Sequence, residues 1–373
     1  MKYYIISGEA SGDLHGSNLM KALFQKDNNA DIRFWGGDLM QEAGGTLVKH
    51  YRELAFMGFA EVIQNLRVIL GNIKFCKKDI LEFEPDVLVL IDYPGFNMRI
   101  AKFAKKYGIK IHYYISPQIW AWKENRIHKI KRDVDEMYVI LPFEKEFYEK
   151  KHNFPVHIVG HPLIDAISIR EQVKGKKFRA KHQLSIKPII ALLPGSRKQE
   201  IKKLLAVMLT MPAKFPNYQF VIAGAPSQDY DFYKPFITNE NVKFISNKTY
   251  DLLSMSYAAI VTSGTATLET ALFKVPEIVC YKTSWLSYQI GKRLVKLKFI
   301  SLVNLIMDRE VVIELIQNDF NEQRLEKELN KILDTNKRKT MFSDYFELET
   351  ILGGKGASEK VAALIINKNS ESN

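Results

Sequence analysis

An aspartate closes an apolar run in Leu90-Ile91-Asp92-Tyr93-Pro94-Gly95-Phe96-Asn97, and a Pro-Gly turn then carries the chain away from it. A carboxylate at such a strand end can take a proton from a substrate hydroxyl, as general-base catalysis requires; the competing reading is a turn residue bonded to its own backbone. Asn97 is placed to cap the following helix. A second acidic loop follows the first apolar run, Gly8-Glu9-Ala10-Ser11-Gly12-Asp13, with His15 just beyond. Glycine-rich strand-to-helix turns usually cradle phosphate, which two carboxylates would repel. Either this loop is inert or it holds something other than phosphate.

Two further loops have the opposite character. Leu192-Leu193-Pro194-Gly195-Ser196-Arg197-Lys198-Gln199-Glu200 closes an apolar run and opens a helix. Gly195 permits close backbone approach, Ser196 can cap the helix and Arg197 adds a forked cation beside free N–H groups. Thr262-Ser263-Gly264-Thr265-Ala266-Thr267-Leu268-Glu269 puts small hydroxyl residues at another helix start. One helix end contributes only about 0.3–1 kcal/mol toward an anion, so a diphosphate site needs both ends and Arg197; the plain alternative is two capped helices. No GxxxxGK[ST] occurs, and the first loop is GxxxG rather than GxGxxG, so P-loop and dinucleotide fingerprints are missing. Asp133-Val134-Asp135 matches DxD but precedes a strand, and reads as solvent-facing acids rather than metal ligands.

These loops need strands to carry them. Short apolar runs at Tyr3–Ser7, Ile32–Trp35, Val87–Ile91, Ile111–Ile115, Met137–Leu141 and His157–Val159 alternate with helix-period segments. Near-continuous apolar strands separated by helices indicate a parallel sheet covered on both faces. A second series, Ile189–Leu193, Gln219–Ala223, Val242–Ile245, Ala259–Thr262 and Ile278–Tyr281, repeats the pattern. The expected fold is α/β, two Rossmann-like doubly wound domains facing a cleft, with the strand ends pointing toward it. Residues 1–165 and 166–344 are the expected domains, and a C-terminal helix near 345–366 returns to the first. Ser116-Pro117-Gln118-Ile119-Trp120-Ala121-Trp122 and Gly160-His161-Pro162 also follow strands; the tryptophans suit stacking on a sugar or packing at a domain boundary.

The 373 residues carry 54 Lys+Arg against 42 Asp+Glu, a net charge of +12, which favours an anionic partner: nucleic acid, a membrane surface or a phosphorylated substrate. Cys76 and Cys280 are the only cysteines, so neither a disulfide framework nor a thiolate metal site is expected. No signal peptide or spanning segment is evident. Val62–Phe75 and Trp285–Phe299 mix apolar residues with cations, the pattern of a core helix or of a membrane-surface helix.

GEASGDLHG, Phe56-Met57-Gly58, IDYPGFN, SPQIWAW, LPFE from Leu141, GHPL, LPGSRxxE, SGTATLE and SLxNLI from Ser301 occur in one order over about residues 5–317. In these motifs the chain resembles the lipid-A-disaccharide synthases. The resemblance implies a GT-B glycosyltransferase that moves 2,3-diacylglucosamine from UDP to the 6-hydroxyl of 2,3-diacylglucosamine 1-phosphate. It implies an inverting displacement without a metal or other cofactor, with Asp92 as base and Glu9, Asp13 and His15 as alternatives. The donor UDP falls to Gly195, Ser196, Arg197, Ser263, Gly264, Thr265, Ala266, Thr267, Glu269, Asn304, Glu314 and Gln317. Glu314 is placed for the ribose hydroxyls, although Ile313 stands where many relatives carry a proline at this apparent helix start. Gly8, Ser11, Gly12, Asn97, Gln118 and Trp120 fall on the acceptor side, where glycines admit a sugar and carboxylates suit its hydroxyls. Expected partners are the two lipid substrates and, peripherally, the cytoplasmic face of a Gram-negative inner membrane, but no nucleic acid. Another UDP-sugar enzyme of the same fold, a UDP-N-acetylglucosamine epimerase or a peptidoglycan glycosyltransferase, is the alternative.

Overall fold

The computed structural model describes residues 1–54, 66–168, 173–225, 228–284, 288–289 and 297–370. Phe56-Met57-Gly58, the beginning of Val62–Phe75 and most of Trp285–Phe299 lie outside these residues. Two compact units form, one of Met1–Ile169 with Leu352–Asn373 and one of Arg170–Ile351.

In the first unit, β1 (Lys2–Ser7), β2 (Asp31–Gly36), β3 (Thr46–His50), β4 (Val87–Ile91), β5 (Lys110–Tyr114), β6 (Glu136–Val139) and β7 (His157–Ile158) make one sheet in the order β3-β2-β1-β4-β5-β6-β7. All of its pairings are parallel. Alternate residues face opposite layers, as a pleat demands. Tyr4, Ile6, Leu88 and Leu90 meet Ile73, Cys76, Ile80, Phe96 and Ile100 of helices Leu66–Phe83 and Pro94–Lys106. Tyr3, Ile5, Val87 and Val89 meet Leu19 and Leu23 of helix Ala10–Lys26, with Val361 and Ile365 of helix Ala357–Ser370. The chain re-enters this unit at Leu352 rather than near 345, because Thr335–Ile351 is a single helix whose Met341, Tyr345 and Leu348 are buried in the second unit.

In the second unit, β8 (Ile189–Leu193), β9 (Gln219–Gly224), β10 (Val242–Ser246), β11 (Ser256–Thr262), β12 (Glu277–Tyr281) and β13 (Ile313–Ile316) form a parallel sheet in the order β10-β9-β8-β11-β12-β13. In both sheets the order reverses beside the first strand, between β1 and β4 and between β8 and β11. Such a switch point leaves a crevice beyond the strand ends, the usual ligand position in open α/β sheets. Register pairs Ser7 with Ile91, and Leu193 with Val261. The acidic loop after β1 is thus brought beside Asp92, and the Gly195 loop beside the Gly264 loop.

Two outer strands differ from the expected pattern. β3 reads Thr-Leu-Val-Lys-His and is nowhere fully buried, so it lacks the continuous apolar signature. β13 is only four residues long and includes Glu314, which pairs in register with Val279 of β12. Ile313 therefore sits within a strand rather than at a helix start, and the missing proline costs this chain no helix.

Candidate active site

Asp92 and Tyr93 follow β4 in left-handed conformation, with φ 42° and 49°, and Ile115 after neighbouring β5 has φ 63°. Aspartate tolerates this region; tyrosine and β-branched isoleucine rarely enter it, and each such residue costs about 1–3 kcal/mol unless the surroundings impose it. The surroundings are explicit. The Asp92 N–H donates to Tyr114 O at 3.0 Å, while its carbonyl accepts from Asn97 Nδ2 at 2.7 Å and Tyr113 OH at 2.6 Å. The peptide is clamped through its N–H and its carbonyl, and the carboxylate beside it is half-buried. Burial, with the negative charges of Glu9 and Glu144 nearby, pushes the Asp92 carboxyl up to about 7 against a backbone hydrogen bond from Tyr93. A carboxylate that titrates near neutrality has the basicity a general base needs at that pH.

Asn97 is correspondingly not a cap. Helix Pro94–Lys106 starts after Tyr93, and the fully buried Asn97 lies within its first turn, tying down the carbonyls of Ile91 and Asp92. It is a positioning residue rather than an acceptor contact.

The opening loop divides into distinct roles. Glu9 is exposed, occupies the N-cap position of helix Ala10–Lys26 without a side-chain cap bond, and bears electrostatically on Asp92. Asp13 is buried: Oδ1 accepts from Gly37 N at 2.7 Å and Met40 N at 3.1 Å, and Oδ2 from Leu39 N at 3.1 Å. It caps helix Asp38–Ala43, which removes it from the choice of base. His15 is also buried, and desolvation drives its imidazole down to about 4, leaving it neutral and remote from solvent. Gly8 and Gly12 are needed for the protein's own packing. A Cβ on Gly8 would lie 2.3 Å from the Tyr93 ring, and one on Gly12 2.4 Å from Ser7 Oγ. Both glycines are buried, whereas Ser11 is exposed in the first turn of helix Ala10–Lys26.

Glu144 closes the LPFE segment that begins at Leu141. Its buried carboxylate accepts from Ser116 Oγ at 2.5 Å, Trp120 Nε1 at 3.3 Å, Ile140 N at 3.1 Å and Leu141 N at 2.9 Å. One side chain thereby fixes the loops after β5 and β6. Burial raises its pKa and these hydrogen bonds oppose the rise. Trp120 is held edge-on to Phe143, with ring centroids 4.8 Å apart, whereas Gln118 and Trp122 are exposed. The available signal was the position of LPFE itself, a Pro-containing turn after an apolar run.

At the second switch point, Gly195 has φ 96° and lies against Glu200, whose Oε1 accepts from Thr262 Oγ1 at 3.1 Å. Glu200 thus bridges the two loops, a contact the motif spacing does not disclose. Helix Lys198–Met208 has Arg197, not Ser196, as N-cap; both residues are exposed. Helix Thr265–Leu272 starts after Gly264, φ 151°, with Gly264 and Thr265 exposed and Ala266 half-buried. Thr267 is buried and donates to Gly264 O at 2.8 Å, and Ser263 Oγ donates to Ile300 O at 2.8 Å. Glu269 accepts from Tyr250 OH at 2.7 Å, and burial raises its pKa.

Asn304, Glu314 and Ser301 form a connected clamp. Glu314 Oε1 accepts from Ser301 N and Asn304 Nδ2, both at 2.9 Å, and Oε2 accepts from Ile300 N at 2.9 Å. Asn304 is fully buried, and its Oδ1 accepts from Val311 N at 2.8 Å. Burial takes Asn304 off the pocket wall and makes it a support for Glu314, which is half-exposed. Gln317, φ 54°, accepts from Thr283 N through Oε1 at 3.1 Å.

Two Rossmann-like units, each a parallel sheet with its own switch point, define the GT-B fold class. Solved structures with this fold include UDP-GlcNAc 2-epimerase from Neisseria meningitidis, TM-score 0.67 at 13% identity over 100% of both chains. The glycotransferase of kitacinnamycin gives TM-score 0.66 at 13% identity over 98% of both. Sequence is more specific. The model of the lipid-A-disaccharide synthetase family matches residues 3–365. The lipid-A-disaccharide synthase of Coxiella burnetii is 39% identical over 370 residues, 97% of each chain. That of Syntrophus aciditrophicus is 40% identical over 375 residues, 97% of this chain and 96% of the relative. The chain belongs to the lipid-A-disaccharide synthetase family and is a glycosyltransferase of lipid A biosynthesis.

Proposed function

We propose that the chain transfers 2,3-diacylglucosamine from UDP to the 6-hydroxyl of 2,3-diacylglucosamine 1-phosphate, in one inverting displacement with Asp92 as base. The placing of Asp92 after β4, on a peptide whose carbonyl is held by Asn97 and Tyr113 and with a half-buried carboxyl raised to about 7, is the observation that carries this reading. It accepts the hydroxyl proton as the oxygen attacks the anomeric carbon, while the C1–O bond to UDP breaks on the opposite face. The departing diphosphate gathers negative charge. Arg197 and the N–H groups opening helices Lys198–Met208 and Thr265–Leu272 are the proposed stabilisers, so the reaction is expected to proceed without a metal. Glu314, held by three backbone and side-chain donors, keeps lone-pair capacity on Oε2 for a ribose hydroxyl.

The lipid substrates place this chemistry at a membrane. Each buried CH₂ is worth about 0.8 kcal/mol, so an acyl chain stays in the bilayer and the enzyme must come to it. Helix Leu66–Phe83 exposes Val68, Leu70, Phe75 and Leu81 around Arg67, Lys74 and Lys78, a face suited to an anionic surface. No helix among the described residues is long and apolar enough to cross a membrane.

The test measures transfer in Asp92→Asn and Asp92→Ala while UDP binding is followed separately. Turnover should fall by about 10²–10⁴-fold with UDP affinity unchanged. Near-normal turnover in both variants moves the base to Glu9. Turnover of unacylated UDP-N-acetylglucosamine, with no UDP release from the diacylated pair, overturns the substrate assignment.

A further inference from the structure

The loop after β5 carries an exposed aromatic residue and two cations that the roles above leave unused. Lys123 Nζ lies 4.2 Å and the Arg126 guanidinium 5.3 Å from the Trp122 ring centroid. The indole is 43% exposed, so its face is open to solvent beside the two cations. Lys123 is itself left-handed, φ 56°, and is the N-cap of the short turn Glu124–Arg126. A left-handed backbone is uncommon for a lysine. Among the described residues no carboxylate pairs with either cation. Glu124, the acid of the same turn, is instead engaged by Lys151 Nζ at 2.7 Å. Two like charges drawn to one ring repel each other, and a dianion placed between them removes that repulsion.

The position fits the candidate chemistry. β5 is the neighbour of β4, and the charge of Arg126 reaches the buried Tyr113 hydroxyl, which donates to the carbonyl of Asp92. The loop is not free to wander, since Ser116 and Trp120 are fastened to Glu144.

We propose that Trp122, Lys123 and Arg126 form the subsite for the acceptor's 1-phosphate: the two cations share the phosphomonoester oxygens, and the indole face covers the adjoining sugar. This rests on the function proposed above. A phosphomonoester carries about 1.5–2 negative charges near pH 7, which matches two cations better than a neutral sugar would. A guanidinium offers paired N–H donors to two phosphate oxygens and the ammonium a third contact.

The test uses the full chain and two short-acyl, water-soluble acceptors, 2,3-diacylglucosamine 1-phosphate and its dephosphorylated counterpart. Calorimetric binding and turnover are compared for Lys123→Gln, Arg126→Gln and the double variant. Each single change should reduce the preference for the phosphorylated acceptor by roughly 10-fold or more, and the double change should abolish it, with the dephosphorylated acceptor bound as before. A preference retained in the double variant, or equal losses on both acceptors, overturns the proposal. Sedimentation with vesicles of phosphatidylglycerol and phosphatidylcholine separates the two sources of phosphate. Unchanged vesicle binding assigns the cations to the acceptor, whereas weaker vesicle binding with the acceptor preference intact gives them to a lipid headgroup and overturns the assignment. Phosphate discrimination in binding without any transfer keeps the subsite and removes the transferase reading.

Discussion

As the proposed base, Asp92 trades stability against chemistry. Its carboxyl is raised to about 7 by burial and by the charges of Glu9 and Glu144. The unfolded carboxyl titrates near 3.9. A group whose folded value is the higher one holds its proton more tightly in the native state, so folding is penalised as pH rises from about 4 through 7. Asp92→Asn keeps a residue that tolerates φ 42° and removes that penalty. Thermal denaturation should find the variant more stable than the parent at pH 8, with the gap closing toward pH 4, while its transfer activity is lost. The same charges govern the pH profile. In the parent, kcat/KM should rise with pH through about 7 as Asp92 ionises. In Glu9→Gln a neighbouring negative charge is gone, so that acid limb should move to lower pH; an unmoved limb would dissociate Glu9 from the site.

At the level of elements, much of the fold was legible because central strands of a parallel sheet are apolar on both faces. β4 reads Val-Leu-Val-Leu-Ile and β8 Ile-Ile-Ala-Leu-Leu, and both are wholly buried. β3 and β13 were not legible, since edge strands keep polar residues on their open faces and β13 is too short to show alternation. The loops at the switch points could be located by the strands they follow, but their internal assignments could not. Asp13 looks like a second acid at a site until helix Asp38–Ala43 brings three backbone N–H groups onto it. Asn97 looks like a cap until the helix begins three residues earlier at Pro94. Such roles are set by partners distant in sequence, as are Glu144 and Glu200. Asp13→Ala should consequently cost about 2–3 kcal/mol of stability, from lost charge-assisted bonds and uncapped N–H groups, while the folded fraction retains its transfer rate. Chemical denaturation alongside activity per folded molecule checks this, and loss of rate at full stability would return Asp13 to the chemistry.

For the molecule as a whole, the +12 charge and the exposed face of helix Leu66–Phe83 are the features on which the proposed membrane docking rests. The opposite face is fixed by Ile73, Cys76 and Ile80 in the core of the first unit, so the outward residues can be changed without touching it. Arg67, Lys74 and Lys78 run along the middle of the exposed arc, with Val68 and Phe75 on one flank and Leu70 and Leu81 on the other. Cations near an anionic leaflet contribute about 1 kcal/mol each, so the three together correspond to roughly a 100-fold partition coefficient. Replacing all three with glutamine should reduce sedimentation with anionic vesicles by about that factor, and added salt should weaken the parent in the same way. Leu70→Ser with Phe75→Ser removes the apolar contribution instead, which salt does not screen. Binding that stays salt-sensitive but weaker in the serine variant, and weak and salt-insensitive in the glutamine variant, identifies this helix as the docking face. Unchanged vesicle binding in both would move docking elsewhere on the molecule. Transfer between short-acyl, water-soluble substrates should be preserved in both variants, because neither changes Asp92, Arg197 or the loops that hold them.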